Sequence, residues 1–222
     1  MWDKIVIKTK HDMILWKVND MEFFAKSWKH IFVTESALID PQPGYPCYKP
    51  GQVMFDNHMK ALDHALSTSW EINKDTPRDL HRFLTRDVAY FEDKGMSGNY
   101  RNCEVWIGHE LCPHFSLIPQ LMEDWANFTK KLLDLNYDGK MLGLDVASIC
   151  HHMFEVIHPF IDGNGRTGRL LFNKILNQCG EDPRIIFYKD RSLYYDEIQY
   201  FREKYWISNK FDFDLILKDY LV

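Results

Sequence analysis

The chain has 222 residues, 45% of them apolar and 27% charged, which fits one sizeable folded domain with a modest extension and argues against two full domains or a disordered chain. A net charge of -5 argues against a broad nucleic-acid face, since that affinity needs clustered Lys and Arg on phosphates. No stretch is long enough to span a bilayer, and five scattered cysteines, odd in number and without C-x-x-C spacing, fit a reduced compartment.

The first twenty residues alternate charged and apolar side chains and lack a signal-peptide core, so a cytoplasmic location is expected, with delivery into a host cell as an effector left open. Met21, Phe24, Trp28, Ile31 and Phe32 recur at spacings of three and four and predict an amphipathic helix. Four prolines and two glycines within 41–51 then break regular structure and mark the boundary between extension and core. A helix over about 52–69 follows, with Phe55, Met59, Leu62 and Leu66 on one side. Thr76-Pro77 opens the next, because Thr caps free amides and Pro is tolerated at the first helical position. Residues 103–108 alternate and are β-rich, and form the only convincing strand or hairpin arm. Further helices are expected at 119–136, 144–157, 167–178, 194–205 and 213–221, with 144–157 apolar enough to lie at the centre.

The chemistry sits between two of these helices, in His158-Pro-Phe-Ile-Asp-Gly-Asn-Gly-Arg-Thr-Gly-Arg169. Pro159 prevents simple continuation of the helix before it, so His158 should project from its end. Gly163-Asn164-Gly165 can bring backbone amides together where the next helix points its free N–H groups, which makes a nest for an anion. Arg166 and Arg169 stand on neighbouring turns and suit a polyphosphate, and Asp162 offers one hard carboxylate, the usual protein contribution to Mg²⁺ held beside phosphates. Histidine is the side chain whose ordinary pKa lies near neutrality, so His158 is the candidate to accept the proton of an attacking hydroxyl.

This segment matches every fixed position of the Fic motif, H-x-F-x-[DE]-G-N-G-R-x-x-R, and Tyr100-Arg101 with Val105-Trp106-Ile107-Gly108 resembles that family's β-hairpin flap. The resemblance implies an all-α fold: a Fic-type helical bundle over 52–205 with a small flap, an N-terminal helical extension over 1–51 and a C-terminal helix over 206–222. It further implies AMP transfer from Mg²⁺-bound ATP to a Ser, Thr or Tyr hydroxyl of a target protein. His158 would be the general base and Asp162 the metal ligand. Gly163, Asn164, Gly165, Arg166, Arg169 and Asn173 would bind the nucleotide, and Trp106, Ile107 and Gly108 would dock the target by strand addition. Gly165-Arg166 stands where the related Doc kinases carry Lys and Arg, which favours nucleotidyl transfer over phosphorylation.

Many members also carry an inhibitory helix of pattern [ST]-x-x-x-E-[GN], and Ser36-Ala-Leu-Ile-Asp40-Pro41 resembles a degenerate copy. Asp40 is one methylene short of the usual Glu, which predicts weak or lost restraint of Arg169. Plainer readings stand beside these. Trp106 and Ile107 fit a strand core as well as a docking edge, and His151, His152, Glu155 and His158 suggest a metal cluster only until helical spacing puts His152 and His158 on different faces. Tyr residues between 188 and 200 fit core, surface or an adenine pocket. Alternatives to AMP transfer are a nucleotide-binding regulatory module, or transfer of UMP, phosphate or phosphocholine. Self-modification and oligomer formation are left open; nucleic acid and membrane partners are not expected.

Overall fold

The computed structural model describes residues 2–6, 14–18, 27–39, 52–67 and 71–221. Asp40, the 41–51 loop, Met21 and Phe24 lie outside these described residues.

In chain order the elements are β1 (Trp2–Val6), β2 (Ile14–Val18), α1 (Ser27–Ile39), α2 (Gln52–Leu66), α3 (Thr76–Thr85) and the short α4 (Ala89–Glu92). Next come β3 (Trp106–Ile107), β4 (Glu110–Leu111), α5 (Ile118–Tyr137), α6 (Gly143–Ile157) and α7 (Asn164–Gln178). The chain closes with β5 (Arg184–Ile185), α8 (Arg191–Tyr205), β6 (Trp206–Ile207), β7 (Lys210–Phe211) and α9 (Phe213–Tyr220). Helices dominate, as the periodicity predicts, and Pro occupies the first turn of both α3 and α5, where its missing N–H is harmless.

Helix α6 is the axis of the core. All but two of its residues are buried, and α5, α7 and α8 pack around it, while α2 and α3 close on the far side of α7. The Trp125 indole N–H donates to the Cys150 carbonyl at 2.9 Å, and the Thr129 hydroxyl reaches Cys150 Sγ at 3.3 Å, so α5 grips α6 through polar as well as apolar contacts. Close approach of α6 and α7 depends on Gly168, where a Cβ would meet Glu155 Oε1 at 2.1 Å. Helix α1 belongs to the same core, with Trp28, Phe32, Val33 and Ile39 buried in it.

The β content is wider than one hairpin arm. β1 and β2 pair antiparallel, and β2 pairs with β5, so the N-terminal strands join a strand that follows α7. β3 and β4 form the expected hairpin but with only two residues on each strand, and β6–β7 form another of the same size. Among the described residues no helix is long and apolar enough to cross a membrane.

Candidate active site

Helix α6 ends as Pro159 requires. His158 leaves it in the left-handed region (φ 50, ψ 61) while its N–H still bonds the Phe154 carbonyl. A non-glycine residue there costs on the order of 1 kcal/mol, so it persists only where neighbours hold it. Arg101 is that neighbour. Its Nε donates to the His158 carbonyl at 2.8 Å and its backbone N–H donates to the Pro159 carbonyl at 2.9 Å. The same guanidinium donates to the carbonyls of Cys103 and Pro113, which flank the β3–β4 flap, so one buried side chain ties flap to loop. Burial holds its pKa below the ordinary arginine value.

The loop then folds on itself. Asn164 accepts from the Phe160 N–H at 2.9 Å and donates to the Phe160 carbonyl at 2.8 Å, closing the turn with one amide. Gly163 caps α7 at φ 82, a conformation that favours glycine, and its carbonyl accepts the first intrahelical bond, from Thr167 N–H at 3.0 Å. The amides of Asn164, Gly165 and Arg166 therefore have no acceptor within the helix and form the positive end of its dipole. Asp162 sits at the rim with Oδ1 2.5 Å from the Gly163 N and 3.4 Å from Arg166. His158, Asn164 and Gly165 line one groove of about 650 Å³, with Trp106, Ile107 and Gly108 of the flap as a further wall.

The structure thus gathers His158, Asp162, Gly163, Asn164, Gly165 and Arg166 as the spacing predicts. Trp106 and Ile107 are exposed, 60% and 40%, and so are not strand core. Asn173 is placed differently from a nucleotide ligand: its buried amide accepts from Arg184 N–H at 2.8 Å and donates to the carbonyls of Arg169 and Arg184, a strut between α7 and β5. Arg169 is only 1% exposed and turns toward α1, where Nε meets Ser36 Oγ at 2.8 Å and a second nitrogen meets the Ser36 carbonyl at 2.7 Å. Ser36 is therefore placed against the second motif arginine, while Asp40 falls outside the described residues.

Of the tyrosines between 188 and 200, Tyr194 and Tyr195 line the groove, and Tyr194 Oη lies 3.0 Å from His151 Nε2 and 3.4 Å from Arg169. Tyr195 donates to the Ile39 carbonyl at 2.7 Å, so the end of α1 reaches the groove as well. Arg202 donates to the Leu111 carbonyl at 2.7 Å and fastens the flap to α8. His81 lies beneath the loop, and burial pushes its pKa down to about 4, with Arg166 adding to the effect against the opposing bond that the ring donates to the Asp162 carbonyl. His58 is likewise held well below its usual value by burial and by the charges of Arg166 and Arg169. Among the described residues no three His, Cys, Asp or Glu side chains come together as a metal cluster.

Residues 71–176 match the model of the Fic/DOC family. Over 143 residues the chain is 34% identical to a protein adenylyltransferase Fic of Drosophila willistoni, covering 63% of this chain and 26% of that one. The Drosophila ananassae protein of the same name is also 34% identical over 143 residues, covering 63% and 27%. The chain thus spans about a quarter of the length of these relatives. A crystal structure of a Fic domain containing signaling protein from Bacteroides thetaiotaomicron superposes with a TM-score of 0.69 at 18% identity, covering 89% of this chain and 82% of that one. Residues 134–508 of Fic-1 from C. elegans superpose with a TM-score of 0.56 at 19% identity, covering 82% and 60%.

Proposed function

This chain belongs to the Fic/DOC family through its residues 71–176, and from that premise we propose that it is a protein adenylyltransferase, moving AMP from Mg²⁺-bound ATP to a Ser, Thr or Tyr hydroxyl of a target protein. One observation carries the reading: His158, at the end of α6, opens onto the same groove as the first turn of α7. That turn and the Arg166 guanidinium hold the triphosphate, and the groove beyond, walled by Tyr194 and Tyr195, takes the nucleoside. The target hydroxyl oxygen attacks the α-phosphorus, a new P–O bond forms, and the bond to the bridging oxygen breaks to release pyrophosphate. His158 takes the hydroxyl proton, worth roughly 10²–10⁴ in rate, and the α7 amides stabilise the charge that gathers on phosphorus oxygens.

Asp162 is the one carboxylate within the loop, with a quarter of its side chain exposed, and fits the way Mg²⁺ is held by a single carboxylate together with substrate phosphates. When bound, the ion supplies positive charge against those phosphates. The exposed flap residues Trp106 and Ile107 support docking of an extended target segment along the hairpin.

A second feature of the reading is restraint. Arg169, one of the residues that the family resemblance gives to the nucleotide, is covered by Ser36, so α1 holds the site in a restrained state. Mass spectrometry after incubation with ATP and Mg²⁺ tests the whole. AMP should appear on the chain or on an added protein, and His158→Ala should abolish it. UMP, phosphate or phosphocholine adducts from the matching donors would reassign the transferred group. Bound ATP with no adduct, even in Ser36→Ala, would favour a regulatory nucleotide-binding module instead.

A further inference from the structure

We infer that His81, locked in a single tautomer, is a positioning residue that sets the Asp162–Gly163 peptide, and through it the Asp162 carboxylate, for a bound triphosphate. The inference rests on the reading of the loop as a phosphate site. His81 stands on α3, 1% exposed, and belongs to no part of the motif. The Gly98 N–H donates to its Nδ1 at 3.0 Å. An amide hydrogen can only be donated, so Nδ1 must carry the lone pair, and a neutral ring must then carry its hydrogen on Nε2. Nε2 lies 2.9 Å from the Asp162 carbonyl, which can only accept. Both bonds are made by one tautomer and by no other.

The bond to Asp162 reaches further than one oxygen. A trans peptide is planar, so drawing the Asp162 carbonyl toward α3 turns the N–H of Gly163 the opposite way. That N–H is the one held by Asp162 Oδ1 at 2.5 Å. The direction of the carboxylate is therefore coupled, through a rigid plane, to an imidazole 81 residues earlier in the chain. The ring also fixes the floor of the loop. Phe160 stacks on it at 4.0 Å with 14° between the planes, and a Cβ on Gly163 would come within 3.1 Å of Nε2. On its other edge the ring holds Gly98, three residues before Arg101, whose bonds hold His158. One side chain thus joins the loop to the segment that leads into the flap.

The test uses the full chain and compares Mg²⁺·ATP with adenosine by calorimetry. Gln in place of His keeps a donor at the Nε2 position, whereas Asn keeps only an acceptor near Nδ1. The expected result is that His81→Asn loses about tenfold or more in Mg²⁺·ATP affinity, with adenosine affinity within twofold, while His81→Gln recovers most of the loss. A purely structural histidine would lower both ligands together with Tm and would not tell Gln from Asn, and that outcome overturns the inference. Nitrogen NMR of the wild-type imidazole gives a second reading that needs no variant: a hydrogen on Nδ1 would also overturn it. A wild type that binds adenosine as well as Mg²⁺·ATP would remove the phosphate site itself. A wild type that discriminates, with His81→Asn discriminating equally, would remove this inference alone.

Discussion

Arg169 donates twice to Ser36, to its hydroxyl at 2.8 Å and to its carbonyl at 2.7 Å, across 133 positions of sequence. Only the first bond depends on the side chain. Ser36→Ala should leave the second in place and weaken the hold on the guanidinium by about 1–2 kcal/mol, since a hydrogen bond to a charged group contributes on the order of 1.5–3 kcal/mol. We expect AMP incorporation to rise several-fold, read by mass spectrometry at subsaturating ATP. Unchanged or reduced incorporation, with Tm preserved, would mean that Ser36 does not restrain the arginine.

Two glycines, Gly168 on α7 and Gly139 in the turn between α5 and α6, separate crowding from backbone strain. Gly168→Ala places a Cβ 2.1 Å from Glu155 Oε1 and 3.0 Å from His151 Cε1, so α6 and α7 must shift and stability should fall by about 1–3 kcal/mol. Gly139, at φ 71 with nothing among the described residues within 4 Å of where its Cβ would lie, bears conformational strain, and Gly139→Ala should cost about 1 kcal/mol. Thermal melts of the pair should show the larger drop for Gly168→Ala. The reverse order would mean that the helices yield more easily than their contact implies.

Acid should destabilise the fold before most carboxylates titrate. Burial pushes both His81 and His152 down to about 4, below the ordinary histidine value of about 6.5 that they regain on unfolding. Between those limits the unfolded chain binds more protons, so stability is intact above pH 6.5 and is lost as pH falls toward 4. The loss amounts to about 3 kcal/mol per histidine over that span. Among the described residues both ring nitrogens of His152 lack hydrogen-bond partners, and Phe201 packs beside it. His152→Leu should therefore flatten the acid limb of a urea-unfolding series without lowering stability at pH 7. A limb as steep as that of the wild type would assign the acid sensitivity elsewhere.

The flap should loosen when its anchor on α8 is removed. Arg202 donates to the Leu111 carbonyl at 2.7 Å and lies 3.5 Å from the Glu110 carboxylate. The amide of Cys112, bonded to the Val105 carbonyl at 3.0 Å, reports opening of the hairpin base. In Arg202→Ala its hydrogen exchange should quicken by roughly tenfold, as expected for about 1.4 kcal/mol of lost protection. Exchange at the wild-type rate would show that the hairpin holds itself.

The contiguous part of the site was legible in the sequence because its chemistry is local. Proline, histidine, glycines and arginines within twelve positions dictate a helix end, a tight turn and a new helix, and the structure builds them in that order. The new helix starts at Asn164, three residues before the expected 167, because Asn164 is held by Phe160 and Gly163 supplies the left-handed cap, which outweigh the weak helical preference of Asn and Gly. The bonding roles of His81, Arg101 and Arg202 are not readable from the sequence because their partners are backbone atoms brought close only by the folded chain. Strands as short as Arg184–Ile185 and Trp206–Ile207 carry no periodicity to read. The alternation over residues 1–20 was a strand signal in its own right, realised as β1 and β2, and a search for helical spacing passes over it.

Helix α1 carries two duties that cannot be separated by cutting it away. Trp28, Phe32, Val33 and Ile39 bury their side chains in the main core, at roughly 1.5–3 kcal/mol each, which outweighs the few hydrogen bonds that Ser36 and Ile39 make to Arg169 and Tyr195. Shedding the whole segment, as a zymogen sheds its leader, would uncover an apolar seam and endanger the fold. Unwinding its final turn would free the arginine and the tyrosine together at the cost of one core anchor, Ile39, while Trp28, Phe32 and Val33 stay seated. Loosening is therefore cheapest at the carboxyl end of the helix, the end that reaches the groove beside His158.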